Sequence, residues 1–451
     1  MRPTNLNLNR MKKLLYILLP LIIIVIIGGC KKDDGVYEDD NFYPRIFDNK
    51  GVFRSPSRII NEGESAIYSG LSYSPAADIK ISWKVNGTEV STDTAYTFTP
   101  TEGGEYTIVV EASYNGDVTS RTSNVLVNPS EYTFKPYTNV ALSYLSENGK
   151  AADVNWNFVT HVAFNCAKVT PDGTLDISKG QLNQTADVLV ARAHINKVPV
   201  LLGVSGRLYG IDGWSLYGSN DFGATLTDPA KSANLVTAIK NYVTARKMDG
   251  VDIMMTDLST SAENNIHAIG PFLNALRAEL PPTAIITVTV TVNWLHWEYP
   301  NLSAADWVNV HAFEDGLTVG PGAPRGQASS YDYMVSAAAI WKNFHLPANK
   351  IVIGIPGFGL KYNAIDANGN NESWGSYEYV PFKTILAQDP QAYDNEFSNI
   401  AFGIYYNGGP LVDKKAKYIK NEGFKGAYLW GGDYDAPAGK SLMETINKTL
   451  K

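Results

Sequence analysis

The sequence predicts two folded units in series: a small all-β sandwich over 46–129, then an α/β unit, a (β/α)8 or TIM barrel, over 130–451. Three observations predict this. Short alternating segments separated by turn residues fill the first stretch. Beyond Ser130, eight short apolar runs alternate with helix-like stretches. The 451 residues also exceed what one hydrophobic core usually serves.

The chain opens on an address. Met11-Lys12-Lys13 is basic, Leu14 to Ile27 is apolar apart from Tyr16 and Pro20, and the run ends Ile27-Gly28-Gly29-Cys30. A basic start, a short apolar run and small residues at its end form the pattern of a secretory signal. The small pair before Cys30 resembles the lipobox of bacterial lipoproteins, which implies a signal peptide over 1–29 and acylation of Cys30. An uncleaved N-terminal anchor is the alternative, and it too leaves the rest of the chain outside the cytoplasm. Residues 30–45 hold Lys31-Lys32-Asp33-Asp34 and Glu38-Asp39-Asp40. So charged a stretch has little apolar surface to bury and reads as a solvated tether. Charges in this order after the lipid cysteine resemble the surface-export signal of lipoproteins from glycan-scavenging Gram-negative bacteria. The expectation is a protein lipid-anchored to the outer membrane at the cell surface, with a glycan-uptake complex as a candidate partner.

Composition narrows the function classes. Of 2 cysteines, one is Cys30 and the other, Cys166, sits in an apolar run as a small hydrophobe. That excludes a disulfide framework and argues against a thiolate metal site. No cofactor is expected, and no His-x-x-x-His pair or carboxylate cluster points to a metal. The formal net charge of −7 falls further once Arg2, Arg10, Lys12 and Lys13 leave with the signal. An acidic chain is a poor partner for nucleic acid. Aromatic residues make up 11% of the chain, with 26 Tyr and 9 Trp, which suits a working surface of stacking rings rather than ion pairs.

In the first unit the strand candidates are 65–69, 79–85, 95–98 and 106–112, with Asn86-Gly87 as a tight hairpin turn. The Trp83 strand followed by Gly104-Glu105-Tyr106 resembles immunoglobulin-like and polycystic-kidney-disease-type modules. Without a cysteine pair it is not an antibody-type domain. Its role is either an accessory sugar binder or a rigid spacer.

In the second unit the strand candidates are 139–144, 161–166, 199–205, 250–255, 285–292, 307–313, 351–355 and 427–430. Helices are expected over 229–247, where Ala230, Leu235, Ile239 and Val243 share one face, and over 266–280. Eight strands alternating with helices make a barrel. A doubly wound sheet would instead put a glycine-rich phosphate loop after the first strand, where this chain has Ser143-Tyr144-Leu145-Ser146.

Four segments carry a more specific likeness: Leu202-Gly203-Val204-Ser205-Gly206, Asp249-Gly250-Val251-Asp252, Ile353-Gly354-Ile355-Pro356-Gly357-Phe358-Gly359 and Gly426-Ala427-Tyr428-Leu429-Trp430. In order and spacing they resemble the third, fourth, seventh and eighth strand motifs of glycoside hydrolase family 18, the family of chitinases and endo-β-N-acetylglucosaminidases. The resemblance covers about 135–450. It implies a (β/α)8 barrel acting on glycans that contain N-acetylglucosamine, with Trp430 as the floor under the sugar.

The same resemblance implies a chemistry that this chain departs from. In the family, the Asp-Gly-x-Asp-x-Asp-x-Glu motif ends in the Glu that protonates the glycosidic oxygen. The substrate's own acetamido oxygen is the nucleophile. The Asp two residues before that Glu orients the acetamido group. Laid on this chain, the four positions are Asp249, Asp252, Met254 and Thr256. Thr256 therefore stands for the acid, and a threonine hydroxyl has no useful acidity near neutral pH. Met254 stands for the orienting Asp. On the sixth strand Phe313 replaces the tyrosine that would hold the acetamido oxygen, and Glu314 falls where the family has Asp. Asp257 and Glu314 are the fallback acids, although strand alternation turns Asp257 to the face opposite Thr256.

Ring residues crowd the segments that follow the strands. They include Tyr144 on strand one, Tyr209, Trp214 and Tyr217 after strand three, and Trp294, His296, Trp297 and Tyr299 after strand five. Phe313, Trp374, Tyr377, Tyr379, Trp430 and Tyr434 complete the set. In such barrels these loops build the ligand site, and rings stack on pyranose faces. The expectation is a surface lipoprotein that binds N-acetylglucosamine-containing oligosaccharides without hydrolysing them. The alternatives are an active family 18 hydrolase with a relocated acid, and a barrel used as a protein-interaction scaffold.

Overall fold

The computed structural model describes residues 43–55, 57–178, 180–206, 220–255, 266–292, 299–314, 320–344 and 346–451. Cys30 and the tether up to residue 42, Thr256, Asp257, Tyr209, Trp214, Tyr217, Trp294, His296 and Trp297 lie outside these residues, and the last tether position, Arg45, already begins a strand.

The N-terminal β region builds a five-stranded sheet in the order Ser57–Asn61, Asp117–Asn128, Gly104–Tyr114, Lys80–Val85, Thr88–Ser91. Two two-stranded ribbons accompany it, Arg45–Asp48 with Leu71–Ser74 and Ala66–Tyr68 with Tyr96–Phe98. Asn86 and Gly87, both at positive φ, close the predicted hairpin, where only a left-handed pair matches the strand twist. Trp83 is the hub of the core. It is fully buried, flanked by Tyr68 and Tyr96, and its indole N–H donates to the Asp93 carbonyl at 2.9 Å.

The barrel strands are β1 (Val140–Leu145), β2 (His161–Val169), β3 (Val200–Ser205), β4 (Gly250–Met254), β5 (Ile285–Val290), β6 (Trp307–Val310), β7 (Ile351–Pro356) and β8 (Gly426–Trp430). All are parallel, and the sheet closes because β1 pairs with both β2 and β8, Tyr144 lying opposite Trp430. The predicted eight strands are therefore all present and the first and last are neighbours, as closure requires.

The helices described are α1 (Gln181–Ile195), α2 (Asn220–Thr227), α3 (Pro229–Ala245), α4 (Ile269–Glu279), α5 (Tyr331–Lys342), α6 (Phe382–Gln388), α7 (Gly409–Asn421) and α8 (Leu442–Leu450). The start of α3 shows why they begin where they do. The Asp228 carboxylate accepts from Ala230 N and Lys231 N at 2.9 and 3.1 Å, and Pro229 fills the first turn. Its far end comes two residues before the expected 247, because Lys247 takes a left-handed φ of 54°.

Alternation along each strand sorts the barrel into two cores. On β4, Val251 and Ile253 face outward into the core beneath the helices, while Met254 joins a separate cluster inside the lumen. Tyr144, Tyr428 and Trp430 point inward with it, and two glycines make room for them. A Cβ on Gly203 of β3 would collide with the Tyr144 hydroxyl, and one on Gly354 of β7 would sit 2.6 Å from the Tyr428 ring.

Two departures from expectation shape the mouth. The sixth strand ends at Val310 rather than 313, and the chain turns so that Glu314 adopts φ 72°. Between β7 and α7 a four-stranded antiparallel sheet is inserted, from Phe358–Tyr362, Tyr377–Pro381, Phe397–Ser398 and Ile404–Tyr405. The sequence treated that stretch as loop, because Phe358-Gly359 reads as an extension of β7.

Candidate functional site

The site begins with one carboxylate. Asp252 on β4 is fully buried in the lumen and accepts four hydrogen bonds. Tyr144 Oη and Thr289 Oγ1 donate to Oδ2 at 3.0 and 2.7 Å, and Thr287 Oγ1 and Asn309 Nδ2 donate to Oδ1 at 2.5 and 3.0 Å. Burial pushes the Asp252 carboxyl above the usual aspartate range, against the downward pull of those four donors. Thr287 and Thr289 share the inward face of β5 because they are two residues apart. The Ile285-Ile286-Thr287-Val288-Thr289-Val290 alternation was the signal that could have found them.

Asp249, three residues earlier, goes elsewhere. It lies before β4, at the strand's N-terminal end, and accepts from the Tyr132 hydroxyl, from His194 Nε2 at 3.1 Å and from Val200 N at 2.8 Å. It ties the segment before β1 to helix α1 and strand β3. The motif positions thus divide into a structural Asp249, a lumen Asp252 and a lumen Met254, with Thr256 outside the described residues.

Above Asp252 the lumen turns aromatic. Met254 packs in one cluster with Tyr144, Phe313, Phe358, Tyr428 and Trp430. The Trp430 ring lies 4.8 Å from Tyr144, and Phe313 meets Phe358 edge-on at 6.0 Å and Tyr428 at 6.4 Å. Trp430 is 2% exposed. Half-buried Tyr377, Tyr379, Tyr405 and Tyr434 pack against the same cluster. Tyr405 belongs to the inserted sheet, so its place here depends on strands the sequence did not reveal. Trp374, between two strands of the inserted sheet, is 63% exposed and lies against Gly320. Tyr299 is not part of the site: it is buried, packs edge-on against Trp341 and donates to the Met255 carbonyl at 3.1 Å.

Beside the cluster sits a second buried carboxylate. Glu314 Oε2 lies 3.5 Å from His311 Nε2, and the His311 ring lies 3.6 Å from Phe313 and 6.4 Å from Trp430. The left-handed turn after β6 brings Glu314 back toward His311, and Glu314 N donates to the Ala328 carbonyl at 2.8 Å. Beneath that segment Lys415 of α7 is fully buried and donates to Ser329 O, Ser329 Oγ and Asn407 Oδ1 at 2.7, 2.8 and 2.6 Å. Ser329 Oγ in turn donates to the Ala312 carbonyl at 2.8 Å, so Lys415 supports the turn that carries Phe313. Burial pushes the Lys415 ammonium down to about 7, opposed by the Glu396 carboxylate.

This arrangement walls the lumen above Asp252 with packed aromatic rings. Asp252 is saturated by protein donors, and Met254 supplies no proton or carboxylate.

The comparisons bear on the whole barrel. The model of the family described as Glycosyl hydrolases family 18 matches residues 140–435. A chitinase-like effector of Moniliophthora roreri is 25% identical over 309 residues, spanning 62% of this chain and 73% of that protein. Among solved structures, a class V chitinase variant from Nicotiana tobaccum in complex with NAG4 superposes with TM-score 0.56 at 16% identity, covering 69% of this chain and 99% of that one. A chitinase-like agglutinin from Robinia pseudoacacia has TM-score 0.56 at 18% identity, covering 69% of this chain and all of its own.

Proposed function

The chain belongs to glycosyl hydrolases family 18, and we propose that it is a surface-tethered lipoprotein that holds N-acetylglucosamine-containing oligosaccharides without cleaving them. One observation carries this reading: Met254 and Phe313 pack against Trp430 and Tyr144 in an apolar, ring-walled lumen. The family resemblance would have an acetamido-orienting carboxylate and a tyrosine hydroxyl at those two positions. Their replacement removes the groups that favour the charged intermediate more than the bound sugar, while leaving rings that stabilise any sugar stacked on them. An interaction equal in ground and transition state binds without accelerating.

Two of the similar proteins fit this reading. One, a chitinase-like agglutinin, is named for binding. Another was solved with NAG4, which supports N-acetylglucosamine oligomers as the ligand class. The leader ending at Cys30 supports a lipid anchor in the outer membrane, and the charged tether supports display at the surface beside a glycan-uptake complex. The β region then acts as a spacer between anchor and barrel.

A second reading has its own observation. Glu314 lies 3.5 Å from His311, whose ring is 6.4 Å from Trp430, and in this reading it would serve as the acid of a hydrolase. A glycan-array screen of the soluble protein from residue 31, with turnover assayed on every hit, separates the two. Binding without product supports capture; product formation overturns it.

A further inference from the structure

The helical ring of the barrel has a gap. Between β1 and β2, residues 146–160 form no α-helix, only the 3-10 turn Ala151–Asp153. The gap leaves a groove of about 510 Å³ on the flank of the barrel, within the ~300–1,000 Å³ range of small-molecule sites. None of the residues lining it belongs to the aromatic cluster of the lumen.

Asn155-Trp156-Asn157 forms part of its lining. Trp156 is half-buried and packs partly against the core, while lining the groove. Among the described residues, neither its indole N–H nor the side-chain amides of Asn155 and Asn157 make a hydrogen bond. A tryptophan flanked by two amides without internal partners is an amphipathic surface: one ring to stack, and donors and acceptors on either side. The titratable groups in the lining already have partners. The Asp435 carboxylate accepts from Ser441 Oγ and from the backbone of Leu442 at the start of α8, and Lys383 donates to the Asp433 carbonyl at 2.5 Å. With Asp153 and Asp435 against Lys383, the lining does not favour an anion.

We infer that this groove is a second carbohydrate-binding site, taking a neutral sugar ring on Trp156 with its hydroxyl or acetamido groups held by Asn155 and Asn157. This rests on the glycan-binding reading above and extends it to a surface remote from the lumen. A protein with two such sites grips one long glycan, or two strands of it, more tightly than either site alone.

The test titrates a β-1,4-linked N-acetylglucosamine hexamer by calorimetry into the full mature chain. The variants are Trp430→Ala, Trp156→Ala and Asn155→Ala with Asn157→Ala, each checked for an unchanged thermal midpoint. The double asparagine variant keeps the inference testable if loss of Trp156 disturbs folding. The expected result is two binding events in the wild type. Trp430→Ala removes one, and the asparagine pair weakens the other about tenfold or more. A single event, abolished by Trp430→Ala and untouched by both groove changes, overturns the second site and leaves the barrel site standing. An event abolished only by the groove changes upholds the groove and overturns the barrel site. No binding in the wild type overturns both.

Discussion

The Tyr144 hydroxyl donates to Asp252 Oδ2 at 3.0 Å, joining β1 to β4 across the barrel lumen. With Thr287, Thr289 and Asn309 it completes a set of four donors around one buried carboxylate. Asp252 therefore organises the lumen beneath the ring-walled mouth.

Removing that carboxylate takes the shared acceptor from Tyr144, Thr287, Thr289 and Asn309. Asp252→Ala is expected to cost 3 kcal/mol or more, on the order of what breaking a buried polar network costs. Chemical denaturation followed by tryptophan fluorescence measures it. Tyr144→Phe, which removes one donor of four, should cost roughly 1 kcal/mol. Equal effects of the two changes would show that the network does not act as described.

Trp430 is the ring to change first at the mouth. Its truncation opens a desolvated anchor position of the kind that costs more than ~2 kcal/mol of binding. Calorimetry with an N-acetylglucosamine oligomer should show that loss for Trp430→Ala. Trp374→Ala, at an exposed position outside the cluster, should lose less. An unchanged affinity in Trp430→Ala would place the ligand outside the lumen.

Restoring the motif tests the missing chemistry. The wild type is expected to release no product from chitooligosaccharides. Met254→Asp with Thr256→Glu should gain slow hydrolysis, and adding Phe313→Tyr should raise it further by returning a hydroxyl to the acetamido oxygen. Chromatography of reducing-end-labelled oligomers detects it. Turnover by the unmodified chain that disappears in Glu314→Gln or Asp257→Ala would establish the relocated acid instead.

Lys415 predicts a pH dependence with a definite sign. Its folded value of about 7 lies below the ordinary lysine value of 10.5, so between them the unfolded chain binds more protons than the folded one. Stability from this group therefore rises as pH climbs from 7 toward 10, and is lost as pH falls back toward 7. Lys415→Met removes the titration and the ammonium's three hydrogen bonds. In urea unfolding, the wild-type advantage over Lys415→Met should widen by up to roughly 1 kcal/mol per pH unit in that window. A gap that does not change with pH would mean that the amine is not desolvated.

Much of the mouth was legible because strands alternate. On β4, a period of two puts Asp252 and Met254 on one face and Val251 and Ile253 on the other, and the structure keeps that division. The same period separates Asp249 from Asp252 by an odd number of residues, a sign that the two carboxylates do not share a site. Tyr299 misled because ring content alone does not tell a loop that faces ligand from one that packs on a helix.

From the sequence alone came the barrel, its eight strands, and the loss of the acid at Thr256 and of the orienting carboxylate at Met254, because strand period, apolar runs and motif spacing are local properties of the chain. Only the tertiary structure decided which donors surround Asp252, that β6 stops at Val310 so that Glu314 turns back on His311, and that an inserted sheet carries Tyr405 to the mouth. Each of these joins residues far apart in the chain or depends on where a ladder of hydrogen bonds ends. Such contacts are settled by closure and packing of the whole barrel, which no local pattern encodes.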